Sequence, residues 1–266
     1  MRLRFLHVFL HHLFLGVTAV LMMMETIVLS NDNIHDPLQF LFVFLSTIVV
    51  YQIALSGIAV PVVPNWISKN KTWRILMVIL FCILMWIALI TFNVIEVIFL
   101  LSIFLSCLAY FTTVGNWKGL RSLPVLKIVV LALVWSLVTV VFPLMSTWNT
   151  GAHLPLLLQR FLFMLSICII YNLRDVEMDQ AQGITTIASL AGERKTKLIS
   201  IIILIAFAMS VIFSVLPHSF KVSMLVSAMV ILIVICSAKK NGNVFYYRYV
   251  IDGCMALQAI IVLQSV

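Results

Sequence analysis

The sequence predicts an all-α protein that crosses a membrane many times, and three observations support this fold class. The hydrophobic fraction is 64% while only 10% of the residues are charged, and the mean hydropathy is +1.19. Apolar runs of roughly 20 residues, the length that a transmembrane helix needs, recur along the whole chain. Because these runs are continuously apolar rather than alternating, they favour helices over a β-barrel.

Nine such runs predict nine transmembrane helices. The third and fourth runs are the least separated, and the break between them depends on Phe92, Asn93 and Glu96. The connecting loops are too short to hold another domain, so we expect a single integral membrane domain over residues 1–266. The nine predicted spans are residues 6–29, 38–60, 74–92, 94–112, 125–145, 155–173, 197–216, 221–237 and 248–265.

The basic residues predict the orientation of these spans. The net charge is +8, and all but two of the 17 lysines and arginines lie before the first span or after an even-numbered span. Because positive charge accumulates on the cytoplasmic side of membrane proteins, we expect a cytoplasmic N-terminus and, after nine spans, an outside C-terminus. The same distribution argues against nucleic acid as a partner. The exceptions are Arg160 and Lys221.

An acidic cluster follows the sixth span directly and holds three of the nine acidic residues of the chain. If the helix continues past Asn172, then Asp175 and Asp179 share one face with it, and Glu177 lies about half a turn away. Two carboxylates and an amide oxygen are hard ligands that suit Mg²⁺, which could bridge to a diphosphate. A solvated helix end that carries charge for solubility is the alternative interpretation.

The segment from Asn172 to Thr186 resembles the second aspartate-rich motif of the UbiA superfamily of intramembrane prenyltransferases. In that family the motif reads N-x-R-D-x-E-x-D-x-x-x-G-x-x-T and follows the sixth of nine helices. Residues 119–127 with Trp135 are similar to the loop and fifth helix of bacterial members, and residues 246–258 resemble the last helix. The resemblance implies a UbiA-like helical bundle in a bacterial inner membrane.

The resemblance also implies an activity. UbiA members hold a polyprenyl diphosphate through Mg²⁺, and ionisation of the diphosphate leaves an allylic cation that a small, usually aromatic, acceptor attacks within the membrane. Membrane lipid would surround the apolar tail. The loop after the motif would supply hydroxyl donors from Thr185 and Thr186. The residues that the resemblance selects are Asp175 and Asp179 for catalysis, Asn172, Asp175 and Asp179 for the metal, and Arg174, Lys118 and Arg121 for the diphosphate.

The first motif of the family, N-x-x-x-D-x-x-x-D, is not reproduced here. The alignment places Gln52, Ser56 and Val60 at its three positions, and no acidic residue occurs between Asp36 and Glu96. Gln52 and Ser56 share a helix face and remain candidates for substrate binding.

A divergent prenyltransferase is therefore one hypothesis, and a non-catalytic membrane protein that binds isoprenoid lipid is the other. A structural or transport relative, or an unrelated membrane protein, is less favoured. A permease in particular is disfavoured because the charges gather at one face.

Two charged residues inside the spans leave alternatives open. Arg160 is predicted to extend to the outer surface, or else to enter a deep cavity with Glu25 as a partner. Asp252 is predicted to pair with Arg248, or else to line the same cavity as Asp175.

Overall fold

The computed structural model describes residues 2–31, 36–55, 71–111, 120–181, 185–240 and 242–265. Over these ranges the chain forms nine α-helices and no strand, and each helix overlaps one predicted span, so the all-α fold class is confirmed. In chain order the helices are α1 Arg2–Ser30, α2 Pro37–Leu55, α3 Lys71–Thr91, α4 Val94–Phe111, α5 Pro124–Ser136, α6 Thr150–Ala181, α7 Ile187–Ile212, α8 His218–Ser237 and α9 Asp252–Leu263.

Five helical stretches are long and apolar enough to cross a membrane: Phe9–Ser30, Thr150–Arg174, Ile187–Ile212, His218–Ser237 and Tyr246–Leu263. The other four apolar stretches, in α2, α3, α4 and α5, are shorter. Two π-helical segments adjoin these helices. Leu137–Val141 continues α5, and Tyr246–Ile251 leads into α9.

The described chain divides into two compact units. The first comprises Met1–Val20 and His35–Arg121, and the second comprises Leu21–Ile34 and Ser122–Val266. The expectation of a single domain over the whole chain therefore stays a prediction.

In the first unit, the predicted break between the third and fourth spans is present. Helix α3 ends at Thr91, and the side chain of Asn93 accepts hydrogen bonds from the backbone N–H groups of Ile95 and Glu96. The carboxylate of Glu96 in turn accepts one from the N–H of Asn93, at 3.0 Å. This reciprocal pair is a capping box, and it starts α4.

In the second unit, α6 packs against α5 on one side and α7 on the other. Phe163 of α6 meets Phe207 of α7 with ring centroids 5.4 Å apart, and both side chains are fully buried. A cluster of Val140, Leu144 and Leu156 forms a further part of this core. Helix α6 therefore lies at the centre of the second unit and positions the residues that follow.

Helix α6 is longer than the predicted span 155–173 at both ends. At its start the side chain of Asn149 accepts a hydrogen bond from the N–H of Gly151 at 3.0 Å, which caps the helix. Pro155 lies in the second turn rather than at the first residue. At its other end the helix continues through the acidic motif to Ala181, as the motif analysis assumed.

Helix α7 begins directly after the motif, and its start uses a residue that the sequence assigned to substrate. Thr186 is fully buried, and its side chain accepts a hydrogen bond from the N–H of Ser189 at 3.1 Å in a capping box. Thr186 is therefore the N-cap of α7, because the N–H groups of the first turn of this helix have no intrahelical acceptor. A glycine, Gly192, bends the helix at a φ of +78° that other residues rarely adopt.

Candidate functional site

The last turns of α6 bury one polar face. Asn172 is 2% exposed and Asp179 is 0% exposed, although they lie two turns apart, and Glu177 between them is exposed. The predicted shared face of Asn172 and Asp179 is therefore present, and it points into protein rather than into water. Asp175 lies in the same helix, but its side chain is outside the described residues.

A lysine from α5 contacts this face. The Nζ of Lys127 donates to Oδ2 of Asp179 at 2.6 Å, and the two side chains are 13% and 1% exposed. Lys127 belongs to the first turn of α5, which starts with Pro124 and has no side-chain cap at Leu123. The carboxylate of Asp179 is thus compensated by a charge from a neighbouring helix, which a buried carboxylate requires.

On another face of α6, the side chain of Arg174 contacts the aromatic ring of Tyr171. The Arg174 guanidinium lies 4.8 Å from the centroid of the Tyr171 ring, a cation–π distance. The Tyr171 hydroxyl donates to the backbone carbonyl of Tyr247 at 2.5 Å. Tyr247 is fully buried and belongs to the π-helical segment before α9. Arg174 is therefore attached to a fixed aromatic support.

A second arginine, Arg248, interacts electrostatically with Arg174. The positive charge of Arg248 interacts unfavourably with that of Arg174 and favourably with Asp252. Asp252 is buried, and both its predicted pairing with Arg248 and the alternative, that it lines the same cavity as Asp175, stay predictions. Two guanidinium groups near one another form a positive region that suits an anion such as a diphosphate.

The remaining sequence-selected residues either belong to the first unit or have no described side chain. Gln52 belongs to the first unit and is 1% exposed. Among the described residues neither of its amide atoms has a hydrogen-bond partner. Ser56 and Lys118 lie outside the described residues, and Arg121 forms part of the short 3₁₀ turn Leu120–Ser122 without a described side chain.

The donor set of the buried face fits one divalent ion that arrives with further ligands. Asn172 and Asp179 offer hard oxygen atoms of the type that Mg²⁺ binds. Over the described residues, no group of three or more His, Cys, Asp or Glu side chains comes together. The arrangement therefore does not form a preformed cage, and phosphate oxygens and water would have to complete the coordination.

A second buried ion pair occupies α6 further from the motif. The Nη1 of Arg160 donates to Oε2 of Glu25 at 2.7 Å, and the two side chains are 4% and 0% exposed. The other terminal nitrogen, Nη2, donates to the carbonyl of Met22 at 3.2 Å and the hydroxyl of Thr26 at 3.3 Å. The predicted extension of Arg160 to the surface is wrong, because α1 supplies a carboxylate and two oxygen acceptors inside the unit.

A cavity adjoins this second pair. Its polar lining includes Thr26, Arg160, Gln159 and Gln258. The Nε2 of Gln159 donates to the carbonyl of Ser210 at 3.1 Å. This cavity lies on the part of α6 that is remote from Asp179, since Arg160 precedes Asp179 by 19 residues or about 28 Å of helix.

Sequence reasoning missed two residues of the site. It counted Lys127 only among the charges that set orientation, and it considered Arg248 only as such a charge and as a partner of Asp252. Lys127 is 52 residues from its partner Asp179, and no local spacing connects the two. Arg248 is four residues from Asp252, and that spacing was noticed, but its proximity to Arg174 depends on how the helices pack.

The comparisons with known proteins give one finding. The model of the UbiA prenyltransferase family matches residues 59–243, which is well over half of the chain. No curated protein and no solved structure gives a significant match.

Proposed function

The chain belongs to the UbiA prenyltransferase family, and from this premise we propose that it transfers a prenyl group from a polyprenyl diphosphate to a small acceptor within the membrane. It is an integral membrane protein with several apolar helices. The acceptor is proposed to be aromatic, as the resemblance implies. The reaction is proposed to depend on Mg²⁺, which prenyltransferases of this family generally use.

The buried polar face at the end of α6 carries the proposal. Asn172 and Asp179 are almost fully buried in a very apolar unit. Keeping a carboxylate in such surroundings is costly unless a cation accompanies it, and Lys127 is the cation that the described structure places at Asp179. A helix end built only for solubility would turn these side chains to water, so their burial favours a binding role.

In the proposed site Asn172, Asp175 and Asp179 hold the divalent ion. When bound, Mg²⁺ would neutralise the charge that collects on the diphosphate as its bond to the prenyl carbon breaks. Asp175 and Asp179 act in catalysis by fixing the position of that charge. Because both carboxylates lie on rigid helix turns, they need little reorganisation during the reaction.

The basic residues are proposed to bind the diphosphate oxygens. Arg174 is oriented by the Tyr171 ring, and Arg248 adds a second guanidinium close by. Lys118 and Arg121 stay candidates from the sequence for the same role, and Gln52 and Ser56 stay candidates for substrate contact. The apolar interior of the unit suits the prenyl tail and excludes the water that would otherwise capture the cation.

The bond changes of the proposed reaction are simple. The C–O bond of the prenyl diphosphate breaks and its electron pair leaves with the diphosphate. A carbon of the acceptor then bonds to the prenyl carbon and releases one proton. We place the loops with basic residues on the cytoplasmic side of a bacterial inner membrane, with the N-terminus inside and the C-terminus outside.

The second candidate function is binding of an isoprenoid lipid without turnover. The sequence of the first motif favours it, because Gln52, Ser56 and Val60 supply no carboxylate where the family has two. With fewer carboxylates the site binds metal more weakly and lowers the barrier less.

Motif variants test the proposal. The full chain in nanodiscs is incubated with tritiated geranylgeranyl diphosphate, Mg²⁺ and a bacterial lipid extract, and transfer of label to a new lipid is measured. Asp175→Asn and Asp179→Asn are compared with Glu177→Gln, an exposed carboxylate of the same motif.

We expect the two aspartate variants to lose about 100-fold or more in rate, since each removes a group that stabilises developing charge. Glu177→Gln should stay within about threefold of the wild type, well under the effect of such a group. Unchanged turnover in Asp175→Asn and Asp179→Asn would defeat the assignment. Mg²⁺-dependent binding of the diphosphate with no labelled product would favour the binding function instead.

A further inference from the structure

The ion pair between Lys127 and Asp179 places a cation at one of the proposed metal ligands. The Nζ of Lys127 lies 2.6 Å from Oδ2 of Asp179. Mg²⁺ binds carboxylate oxygens at about 2.0–2.1 Å. A divalent ion on either oxygen of this carboxylate would lie within a few ångströms of the ammonium group, and the two positive charges would repel each other in a poorly solvated site.

Because the ion pair is neutral overall, it also lacks the net negative charge that would attract a metal ion. In the pair, the charge of Asp179 is already balanced, so a divalent ion entering alone would leave an excess of positive charge in an apolar unit. A diphosphate changes this balance, since it brings several negative charges together with the metal. Its oxygens also offer new partners to the Lys127 ammonium.

We infer that Lys127 competes with the divalent ion for Asp179, so that the aspartate motif loads metal together with a diphosphate and not before it. This inference rests on the proposed function, because it assumes that Asp179 is a metal ligand. Lys127 is then a positioning residue. It pairs with Asp179 while the motif holds no metal ion, and it moves to the diphosphate when substrate enters.

The surroundings of Lys127 allow such a move. Its side chain keeps some exposure, 13%, and a lysine stem has several rotatable bonds. The start of α5 lies within one turn of Lys127 and has no side-chain cap. Its first backbone N–H groups lack intrahelical partners, and such groups favour an anion. A diphosphate oxygen near this helix start would therefore meet both the N–H groups and the released ammonium.

The test measures metal binding without any turnover. Binding of Mn²⁺, a paramagnetic substitute for Mg²⁺, is followed by electron paramagnetic resonance on the full chain in nanodiscs, with and without inorganic diphosphate. The variants are Lys127→Met, Lys127→Arg and the double variant Lys127→Met/Asp179→Asn. Lys197→Met is the matched control, because Lys197 forms a similar pair with Glu193, at 2.9 Å, outside the motif.

Without diphosphate, Lys127→Met should bind Mn²⁺ at least about tenfold more tightly than the wild type, a difference of about 1.4 kcal/mol. Lys127→Arg and Lys197→Met should match the wild type, and the double variant should lose the gain. Equal or weaker Mn²⁺ binding by a folded Lys127→Met variant overturns the inference. A gain in Mn²⁺ affinity that persists in the double variant also overturns the inference.

If Lys127→Met does not fold, the wild type decides the question. Its Mn²⁺ affinity should rise at least about tenfold when inorganic diphosphate is added, after correction for the complex that forms in solution. A wild type that binds Mn²⁺ equally with and without diphosphate overturns the inference. The Mn²⁺ result does not depend on prenyl transfer, so a failure of the proposed function appears separately as absent product with the expected metal behaviour.

Discussion

Helix α6 carries two buried ion pairs, and they are built differently. Arg160 donates to Glu25, to the carbonyl of Met22 and to the hydroxyl of Thr26, and its side chain is 4% exposed. Lys127 reaches Asp179 through one 2.6 Å contact and keeps 13% exposure. The planar guanidinium is fixed by several acceptors, whereas the ammonium is a single charge on a flexible stem.

The difference suggests different purposes. The Arg160 pair has the form of a permanent connection between α1 and α6, in which a buried charge is fully accompanied. The Lys127 pair neutralises a carboxylate that also binds the metal ion in the proposed site, and it is expected to break when substrate enters. If this comparison is right, breaking the first pair damages stability most, while breaking the second damages stability less and changes ligand binding.

The largest expected effect follows from Arg160→Met. This variant leaves the Glu25 carboxylate buried without its cation, and the free energy of unfolding should fall by about 3–5 kcal/mol. The measurement is unfolding by SDS titration in mixed micelles, followed by circular dichroism. The double variant Arg160→Met/Glu25→Leu is the control and should recover most of the loss, because no unpaired charge remains. Equal stability of Arg160→Met and wild type would contradict a permanent connection.

A smaller loss of stability is expected for Lys127→Met. Asp179 loses one charged partner, but the site lies closer to solvent, so the loss should be about 1–3 kcal/mol. The same SDS titration measures it beside Arg160→Met. A loss as large as that of Arg160→Met would show that the two pairs are equivalent, and the comparison would fail.

The smallest expected effect belongs to Thr26→Val. This variant keeps the side-chain shape but removes one acceptor of Arg160, so the loss should be about 0.5–1.5 kcal/mol. Prenyl transfer should not change, since Thr26 is far along the bundle from Asp179. The SDS titration and the labelled-lipid assay together check both statements. A strong loss of transfer at unchanged stability would place Thr26 in the reaction.

Much of the fold could be predicted because it depends on local properties of the chain. Spans of apolar residues set the nine helices of the described ranges, and Asn93 with Glu96 marked the break between α3 and α4. The predicted ends of α6 were less accurate. Its start depends on a cap at Asn149, and its end depends on the motif remaining helical to Ala181.

The candidate site was predictable only in part. The spacing of Asn172 and Asp179 placed both on one face, since helical geometry alone decides that. Glu25 was named as the partner of Arg160 only in the less favoured alternative, and Lys127 was not assigned to Asp179, because Glu25 and Lys127 lie 135 and 52 residues away in sequence. Whether a charged side chain in a span reaches the surface or meets a partner depends on which helices pack together. Thr186 was expected as a hydroxyl donor, and its role as the N-cap of α7 was not predicted.

The most direct test of the central claim uses the wild-type chain alone. In nanodiscs with tritiated geranylgeranyl diphosphate and a bacterial lipid extract, label should pass into a new lipid when Mg²⁺ is present. Transfer should stop on addition of EDTA and return when Mg²⁺ is restored, because the carboxylates of α6 act on the diphosphate through a divalent ion. Transfer at the same rate in EDTA would contradict the account.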